Sequence, residues 1–581
     1  MAEKITLEVL NPKGVLVDPA VQGLHAPRPT DLNGKRIALL SEKPDATIFF
    51  NSVEKQLKAR YPECSVVRMP SYTNPLVDDE LVDRVDAACD IWMSGVKNAT
   101  SLLYDGDCEM ERRGKPGISF SVDVMVPQKE CVAEINGVPT VRVFSVSALD
   151  YAKAKADQAL MDKVVEGLFD DIIAALTAPL TEAEMNPPQF DYDYAPITFT
   201  GDSYQDVLQQ FQDYCMDNEM GDGFPLIPPT RELVDEMLKG TSFAPDKEIG
   251  IVLPRGGIAT VEKIAINAVM AGAKPAYLPV IMTMLECITD KSFNQYHINC
   301  GIPPVYWMSG PIIEELGINN DVNYLGPGNR VNNAITRAVA LCQINIGWRI
   351  LSVYADPGGA GSPDNFTNYL VPENLRYGPW EESYAVSRGY KPDETIISAS
   401  EFLARVRGPG ETLQYGGFDE SMRTMARIFR PSIMHFGESV GGKNLTAKDR
   451  RYIVVMHPVF AHQLAEHGYT KKSFVQWLHD QNSVDWDAMD EEGREKFRQE
   501  VLAGKWPGAL PSDCAPGFKV EPFDDPDNVA VIVSGSCCGG TCVYMTTFSS
   551  TARFPHCSPD FVESAFMTKV VHGATMTKYG K

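Results

Sequence analysis

Short apolar runs alternate with helix-forming segments between residues 35 and 145. The apolar runs occupy residues 35–41, 65–69, 90–94 and 117–126. The segments rich in helix formers occupy residues 51–60, 78–88 and 99–113. Strands that are joined through helices are connected by crossovers, and such strands run parallel. The pattern therefore predicts an α/β fold that begins with a three-layer domain built on a parallel sheet.

A chain of 581 residues is longer than one hydrophobic core usually serves, so more than one domain is expected. A long helical stretch at 148–178 is followed by a segment rich in proline, aromatic and acidic residues that lacks periodicity. Such segments are typical of domain boundaries. We predict a first domain at 1–185, a linker at 186–200 and a larger α/β domain at 201–581.

Two segments of the larger region resemble each other. Residues 253–272 and 325–347 each begin with a glycine- and proline-containing loop that carries an arginine, and each continues as a helix of small residues. Internal similarity of this kind predicts that the larger domain is built of two similar halves. Chance similarity is the alternative.

Acidic residues outnumber basic ones, with 77 Asp and Glu against 53 Lys and Arg, a formal net charge of −24. Nucleic-acid binding and attraction to anionic lipids both require a basic surface, so neither is expected. The longest apolar stretches are too short to span a bilayer, and the N-terminus lacks an apolar targeting core. We expect a cytoplasmic protein with a small-molecule substrate and no membrane partner. A homo-oligomer is left open.

The chain contains 13 cysteines, an odd number, and most are scattered. A secreted disulfide framework would be denser and would occur in a shorter chain, so free thiols in a reducing compartment are expected. Six cysteines lie in apolar or helical contexts and are expected to be small buried side chains: Cys64, Cys89, Cys131, Cys215, Cys287 and Cys342.

Three further cysteines form the sharpest chemical signal. Cys537, Cys538 and Cys542 lie within a glycine-rich segment that directly follows a strand-like run at 528–533. Glycines let several backbone N–H groups converge on a thiolate or a ligand. A nucleophilic or redox dithiol is one interpretation. The other is a metal site in which these three cysteines hold iron, copper or an iron–sulfur cluster, completed by Cys514, His556 or Cys557.

Two glycine-containing loops that precede helices are candidate anion sites. Arg255 is followed by Gly256 and Gly257, and Arg330 follows Asn329 in the second loop. Helix N-termini and arginine side chains both bind carboxylate and phosphate. If both arginines bind one anion, their guanidinium groups should lie within about 10 Å of each other, the width of a small pocket.

His297 and Cys300 are a candidate base–thiol pair, because a curled loop would let residues three apart face each other. An ordinary polar loop is the alternative. Asp222, between two glycines, is a candidate buried acid or base at the substrate, and a turn-forming aspartate is its alternative interpretation.

The stretch DIWMSGVKNATSLLYDGDCEMERRGKPGISFSVD at 90–123 resembles the UGSC (selenocysteine-Gly-Ser-Cys) family. The resemblance implies a reactive selenocysteine or cysteine in the loop after the strand, at a helix N-terminus that stabilises a thiolate. The corresponding loop here, 94–101, has no cysteine, and Cys108 lies further along the predicted helix. We expect the fold to be kept and the nucleophile lost. Lys97, Asn98, Thr100 and Ser101 are candidates for binding an anion there, or for simply capping the helix.

Most of 201–535 is similar to uncharacterised bacterial proteins that accompany, or are fused to, UGSC-like domains. The matching stretches are 221–225, 228–230, 260–272, 310–317, 326–330 and the helix pair that starts at His457. This resemblance implies no particular reaction. It implies a glycine-rich turn where this chain has its three cysteines, so the thiol chemistry is expected in the last loop.

These observations predict a cysteine-dependent enzyme that acts on a small polar or anionic substrate. The reaction would make or break a carbon–sulfur or other carbon–heteroatom bond, as in a lyase, or would be a thiol-coupled reduction by an oxidoreductase. Cys537 or Cys538 would attack and Cys542 would resolve, while Arg255 and Arg330 would hold the charge of the substrate. A metalloenzyme and a non-catalytic scaffold subunit are the alternatives.

Overall fold

A computed structural model describes most of the chain. It covers residues 4–17, 21–41, 44–70, 79–97, 106–189, 191–290, 293, 295, 304–349, 369–401, 404–408, 417–429, 450–506, 511–536, 541–547 and 566–576.

In the first third of the chain, the described residues form seven strands and seven α-helices. Strands β1 to β7 span Ile5–Val9, Val15–Leu16, Arg36–Ser41, Ser65–Pro70, Ile91–Lys97, Gly117–Val122 and Val143–Val146. Helices α1 to α7 span Pro44–Arg60, Asp79–Ala88, Gly106–Arg112, Val126–Ile135, Ala148–Ala154, Gln158–Thr177 and Glu182–Met185.

Strands β3 to β7 form one parallel sheet in the order β4-β3-β5-β6-β7. One face packs Leu39 and Met93 against Phe49 of α1 and Phe169 of α6. The other face packs its apolar side chains, including Trp92, against α2 and α3. The predicted three-layer α/β domain is therefore confirmed.

The predicted long helix at 148–178 is two helices. α5 ends at Ala154, and α6 begins after Asp157, whose carboxylate accepts hydrogen bonds from the N–H groups of Ala159 and Leu160. An aspartate in this position satisfies N–H groups that the first helical turn leaves without partners. The cap therefore starts a second helix where apolar periodicity alone predicted continuity.

The remaining strands and helices form the second region. Strands β8 to β20 span Ile197–Gly201, Glu248–Val252, Gly257–Thr260, Pro304–Ser309, Tyr369–Pro372, Ile396–Glu401, Ala404–Arg407, Arg450–Met456, Val484–Asp485, Lys519–Val520, Val529–Val533, Cys542–Thr547 and Met567–Val570. Helices α8 to α18 span Tyr204–Asp217, Arg231–Leu238, Val261–Met270, Leu278–Thr289, Ile312–Leu316, Arg330–Asn345, Tyr384–Ser387, Gly417–Phe429, Pro458–Glu466, Lys471–Asn482 and Glu491–Leu502. Short 3-10 helices lie at Asp123–Met125, Pro275–Tyr277, Pro511–Asp513 and Pro526–Asn528.

The first two strands belong to the second region. β1 pairs antiparallel with β8, and β2 joins β10 and β9 in a three-stranded sheet. Leu7 and Val9 pack in the same core as Phe199 and Val207. Residues 5–16, which the predicted boundary at 185 assigns to the first domain, are therefore built into the second.

Two four-stranded sheets of the second region have the same strand arrangement. In one, β11 lies between its parallel partner β12 and its antiparallel partner β13. In the other, β15 lies between its parallel partner β18 and its antiparallel partner β19. The outer strands are exchanged: β14 directly follows β13 in the chain but pairs with β19, and β20 follows β19 but pairs with β13.

The second region thus contains two similar halves, at 304–407 and 450–570, but these are not the segments whose sequences resemble each other. Segments 253–272 and 325–347 contain α10 and α13, which pack together and are joined by a 2.7 Å hydrogen bond between Asn345 and Asn267. The sequence did not predict the repeated sheet arrangement. The repeat lies in the order and direction of the strands, and little sequence similarity accompanies it.

The two sheets pack face to face through apolar side chains such as Trp307 and Val371 on one and Ile453 and Ile532 on the other. Helices cover both outer faces, with α10, α11 and α13 on the first sheet and α15, α16 and α17 on the second. Within the described residues, no helix is long and apolar enough to cross a membrane.

Candidate functional site

The carboxyl ends of the two parallel strand pairs meet at one place. Beyond β12, Glu373 N donates to Met308 O at 2.8 Å, and beyond β18, Ser534 N donates to Met456 O at 3.1 Å. Each bond joins the residue after one strand to the penultimate or last residue of its parallel partner. Glu373 and Ser534 are therefore equivalent positions in the two halves.

Hydrogen bonds join these two strand ends across the halves. Asn374 N donates to Val533 O at 2.8 Å, and Asn374 Nδ2 donates to Gly535 O at 3.1 Å. Gly535 N donates to Asn320 O at 3.0 Å, and Ser534 Oγ donates to Pro372 O at 2.8 Å. We call Asn320, Glu373, Asn374, Ser534 and Gly535 the strand-end junction. Gly535 has φ +83°, a conformation that glycine adopts without strain.

A buried charge fixes the junction. The Glu373 side chain is 1% exposed and accepts hydrogen bonds from Ser309 Oγ at 2.5 Å and from Tyr384 N. Lys471 Nζ lies 3.1 Å from the Glu373 carboxylate. A buried carboxylate is tolerated only when it is paired and hydrogen-bonded in this way. The segment that leads into the cysteine loop is thus hydrogen-bonded, through Ser534 and Gly535, to a strand end that the buried Glu373–Lys471 pair holds in place.

The predicted reactive cysteines adjoin this junction in the chain. Cys537 and Cys538 lie outside the described residues, as does the side chain of Cys542, whose backbone begins β19. Thr541 is buried, its carbonyl accepts a hydrogen bond from Gly408 N, and its hydroxyl accepts one from His457 N. The loop therefore leaves from the end of β18 and returns beside the end of β15.

Asn329 and Arg330 lie at the same end of the second region as the junction. Asn319 Nδ2 donates to Asn329 Oδ1 at 2.7 Å, and the next residue, Asn320, accepts from Gly535. Arg330 is exposed and is the first residue of α13. The N-terminus of this helix favours negative charge.

Arg255 lies at the opposite end of α13. Its N–H donates to Gly347 O at 3.0 Å, just beyond the last residue of the helix. A helix of 16 residues is about 24 Å long at about 1.5 Å per residue. The structure therefore does not bring Arg255 and Arg330 together, and one small anion pocket that uses both is not formed.

The side chain of Arg255 joins the two regions. It is buried, lies 3.1 Å from the Glu134 carboxylate of α4, and donates to the Tyr192 hydroxyl at 2.5 Å. Gly257 also has a role within the protein, because a Cβ there would lie 1.6 Å from Ile346 O. Gly256 has φ +78°, a conformation that glycine adopts without strain. Gly257, one of the two glycines predicted to approach a ligand, approaches the chain itself.

Asp222 is a structural aspartate. It is buried, forms a two-pronged ion pair with Arg337 at 2.7 and 2.9 Å, and accepts a hydrogen bond from Phe224 N. The bond to the residue two further on is the turn-forming contact expected of aspartate between glycines. The alternative interpretation as a turn former is supported, and Arg337 is the partner that the sequence did not reveal.

His297 and Cys300 lie outside the described residues. Gln295 lies two residues before His297 in the chain. Its side chain accepts a hydrogen bond from Leu253 N at 3.0 Å and donates one to Ile251 O at 2.9 Å. The candidate base–thiol pair stays a prediction.

A buried polar cluster lies at the carboxyl end of β5. The sequence pattern did not predict it. Ser94 Oγ donates to the Asp107 carboxylate at 2.7 Å, and Lys129 Nζ lies 3.1 Å from the same carboxylate. Ser119 faces Ser94 from the neighbouring strand β6 and is fully buried, and its hydroxyl has no hydrogen-bond partner in the described part of the chain. The available signal was the presence of serines at buried positions of two apolar strands. Residues 98–101 of the predicted anion-binding loop at 94–101 lie outside the described residues, as does the side chain of Lys97.

Most cysteines elsewhere in the chain are buried. Of the eight that are described as free thiols, only Cys514 is partly exposed, so the expected burial of the six scattered cysteines is confirmed. Burial raises the pKa of Cys89 to about 11 and that of Cys215 to about 12. It also raises the pKa of Cys287 and Cys342 well above the usual range. These thiols are therefore protonated and poorly reactive at neutral pH.

A metal centre has no support from the residues that the structure covers. Within them, no group of three or more His, Cys, Asp or Glu side chains is arranged to hold a metal ion. Cys537, Cys538 and the Cys542 side chain are outside that set. The alternative of iron, copper or an iron–sulfur cluster on the cysteine loop therefore stays a prediction.

Comparison with known proteins identifies the first region. No curated protein and no solved structure matches the chain. The model of the UGSC family matches residues 8–178, which include the parallel sheet and the cluster around Asp107. The resemblance of 201–535 to uncharacterised bacterial proteins has no counterpart among these matches and stays a prediction. The N-terminal region of the chain is thus UGSC-like over residues 8–178, as the motif at 90–123 predicts.

Proposed function

We propose that the chain is a cysteine-dependent enzyme that acts on a small polar or anionic molecule. The reaction makes or breaks a carbon–sulfur or other carbon–heteroatom bond, or is a thiol-coupled reduction. The observation that carries the proposal is the strand-end junction, where two parallel strand pairs end together directly before Cys537.

The position of the junction is typical of active sites. In α/β proteins, ligands bind beyond the carboxyl ends of parallel strands, where loops meet. Here two such ends are locked together by Asn374, Ser534 and Gly535. A nucleophile that follows Gly535 by two residues starts from a rigid support, and rigid support of a reactive group is what catalysis requires.

The thiol chemistry is assigned to the loop. In the thiol-coupled reduction, the thiolate of Cys537 or Cys538 attacks the substrate and forms a covalent bond to it. Cys542 then displaces the reduced substrate by forming a disulfide with that cysteine, and an external thiol reopens the disulfide. Arg330 and the N-terminus of α13 lie at this end of the region and favour a negatively charged substrate. Arg255 is not part of this site, because it lies at the other end of α13.

The properties of the cysteines outside the loop support the assignment of the nucleophile to Cys537 or Cys538. Among the cysteines with described side chains, those with pKa values raised by burial are unsuitable as nucleophiles. The thiolate is the reactive form, and a reactive cysteine needs partial exposure and a lowered pKa.

The test is the rate of alkylation of each cysteine by iodoacetamide at pH 6.5, followed by peptide mass spectrometry. Cys514 is the internal control, because it is partly exposed and its pKa is raised by burial. We expect Cys537 or Cys538 to react at least about tenfold faster than Cys514, the effect of a pKa about one unit lower. Equal rates for Cys514, Cys537, Cys538 and Cys542 would refute a nucleophile in the loop.

A further inference from the structure

His457 lies between the two ends of the loop that carries the cysteines. It is the first residue after β15, which has β18 on one side and β19 on the other. Ser534 N donates to Met456 O at 3.1 Å where β18 enters the loop, and His457 N donates to the Thr541 hydroxyl at 3.4 Å where the loop returns. Neighbouring strands are about 4.8 Å apart. The backbone of His457 is therefore next to the first and the last residue of the loop.

The side chain of His457 faces the strand-end junction. Along β15, Val455 packs between the two sheets, and Met456 packs on the opposite face against helices. His457 continues the extended backbone, with φ −67° and ψ 136°, so its side chain returns to the face of Val455. Ser534 points the same way, because its hydroxyl donates to Pro372 O in the other sheet. The buried imidazole consequently lies on the side of β15 where the two strand ends meet.

The first of the two similar halves has a serine at the position of His457. Glu373 and Ser534 are equivalent, and their N–H groups donate to the residues directly before Ser309 and His457. The Ser309 hydroxyl donates to the buried Glu373 carboxylate and so serves the fold. The half that continues into the cysteines has an ionisable ring instead. Functional side chains of α/β proteins are typically found at such carboxyl ends of parallel strands.

The hydrogen bonds of His457 fix its tautomer. Val459 N donates to His457 Nδ1 at 3.3 Å, which caps helix α16. Because Nδ1 accepts this bond, the neutral imidazole carries its proton on Nε2. The ring can therefore donate from Nε2 without giving up the cap. The N-terminus of α16, a helix of 9 residues, adds partial positive charge at the same place.

We propose that His457 is a further catalytic residue of the thiol site, and that its Nε2–H group donates to the thiolate of the attacking cysteine, Cys537 or Cys538. This inference rests on the proposed function, because it adds a residue to the same site. A hydrogen bond to the thiolate favours the charged form of the cysteine, and a helix N-terminus does the same. The proton of the thiol leaves to solvent, and the imidazole stays neutral.

The other charged groups at the strand-end junction do not replace this donor. Glu373 pairs with Lys471, so the two charges largely cancel. Glu314 accepts a hydrogen bond from Asn320 and would oppose a thiolate. Arg330 is exposed at the N-terminus of α13. A solvent-exposed cation is screened, whereas a buried N–H donor is not.

The test is the pH dependence of iodoacetamide alkylation in the full chain, followed for each cysteine by peptide mass spectrometry. Wild type is compared with His457→Asn, because asparagine also caps a helix but is too short to place an N–H group where Nε2 lies. His462→Asn is the matched control, since His462 is exposed on the same helix. We expect His457→Asn to raise the midpoint of the Cys537 or Cys538 profile by about one pH unit or more, and the control to leave it unchanged.

The rate at high pH separates thiolate stabilisation from a structural role. Loss of a thiolate donor raises the midpoint and leaves the rate above it at least as fast as in wild type. His457→Gln, which restores a side-chain N–H group, should recover part of the shift. A wild-type midpoint in folded His457→Asn, with or without a slower rate, would overturn the inference and leave the proposed function standing. Wild-type loop thiols that react no faster than Cys514 would refute the proposed function, and this inference with it.

Discussion

Single residues in the UGSC-like region carry buried charge. Asp107 is fully buried, and its carboxylate contacts Lys129 and Ser94. A second pair, Arg28 and Glu111, is 1% exposed on both sides and is two-pronged, at 2.8 and 3.2 Å. Buried pairs add little net stability against apolar replacements, but losing one partner leaves a buried charge unmatched.

Replacing Lys129 with methionine should therefore destabilise the first region by about 3–5 kcal/mol, because Asp107 would stay buried without its cation. The measurement is chemical denaturation of the two proteins. Adding Asp107→Asn to Lys129→Met should restore part of the loss, because the double variant no longer buries an unmatched charge at this position. A single variant as stable as wild type would contradict a stabilising charge pair between Lys129 and Asp107.

Lys263 gives a pH-dependent prediction. Its pKa of about 8 lies below the ordinary value of 10.5, because burial disfavours the ammonium form, while the neighbouring Glu262 only partly opposes that shift. Between about pH 8 and 10.5 the unfolded chain holds a proton that the folded chain has released. Stability of wild type relative to Lys263→Met should then rise with pH, by at most about 1.4 kcal/mol per unit.

The measurement is the difference in free energy of unfolding between wild type and Lys263→Met at pH 7 and at pH 9.5. Below pH 8 that difference should be constant, because both folded and unfolded chains carry the proton. A difference that does not change between the two pH values would mean that Lys263 keeps its ordinary pKa.

At the scale of elements, the strand-end junction links the fold to the proposed chemistry. The Glu373 carboxylate accepts from Ser309 and from Tyr384 N and pairs with Lys471. Glu373→Gln keeps the shape but removes the charge. We expect alkylation of Cys537 or Cys538 to slow, because the support of the loop is loosened.

The control for Glu373→Gln is Glu420→Gln on α15, whose carboxylate pairs only with Arg423 and Arg427 on its own helix among the described residues. That variant should leave the alkylation rate of Cys537 and Cys538 unchanged. A wild-type alkylation rate in Glu373→Gln, with the overall fold intact, would show that Glu373 has only a structural role.

The local pattern of apolar and helix-forming residues predicted the strands and helices well. It did not predict the contacts between residues that are far apart in the chain. The apolar runs at 35–41, 65–69, 90–94 and 117–126 overlap β3 to β6, because a buried parallel strand is apolar on both faces, although the last run leaves the sheet after Val122 and turns into a 3-10 helix. The contacts of Arg255 with Glu134 and of Asp222 with Arg337 join residues more than 100 positions apart. Local sequence contains no information about such pairs. The exchange of β14 and β20 escaped prediction for the same reason.

For the whole molecule, the important feature is the placement of residues 5–16. β1 and β2 complete sheets of the second region, although the chain then builds the first region before returning to the second. The two regions are consequently joined by two crossings of the chain and by the Arg255–Glu134 contact. We expect the two regions to unfold cooperatively.

Deleting residues 1–17 should destabilise the second region more than the first. β8 would lose its partner strand, and Leu7 and Val9 would leave the core that contains Phe199. The measurement is amide hydrogen exchange, compared between β3–β6 and β8–β10. Equal protection of β8 with and without the deletion would contradict the shared architecture.

If the loop after the strand-end junction carries a working pair of thiols, mild oxidation should join two of its cysteines. The measurement is peptide mass mapping of the full chain, without reduction, after brief treatment with one equivalent of hydrogen peroxide. The peroxide oxidises the attacking thiolate to a sulfenic acid, and a neighbouring thiol displaces water to form a disulfide. We expect a disulfide between Cys542 and Cys537 or Cys538, formed before Cys514 is modified. Unmodified cysteines in the loop alongside an oxidised Cys514 would contradict it.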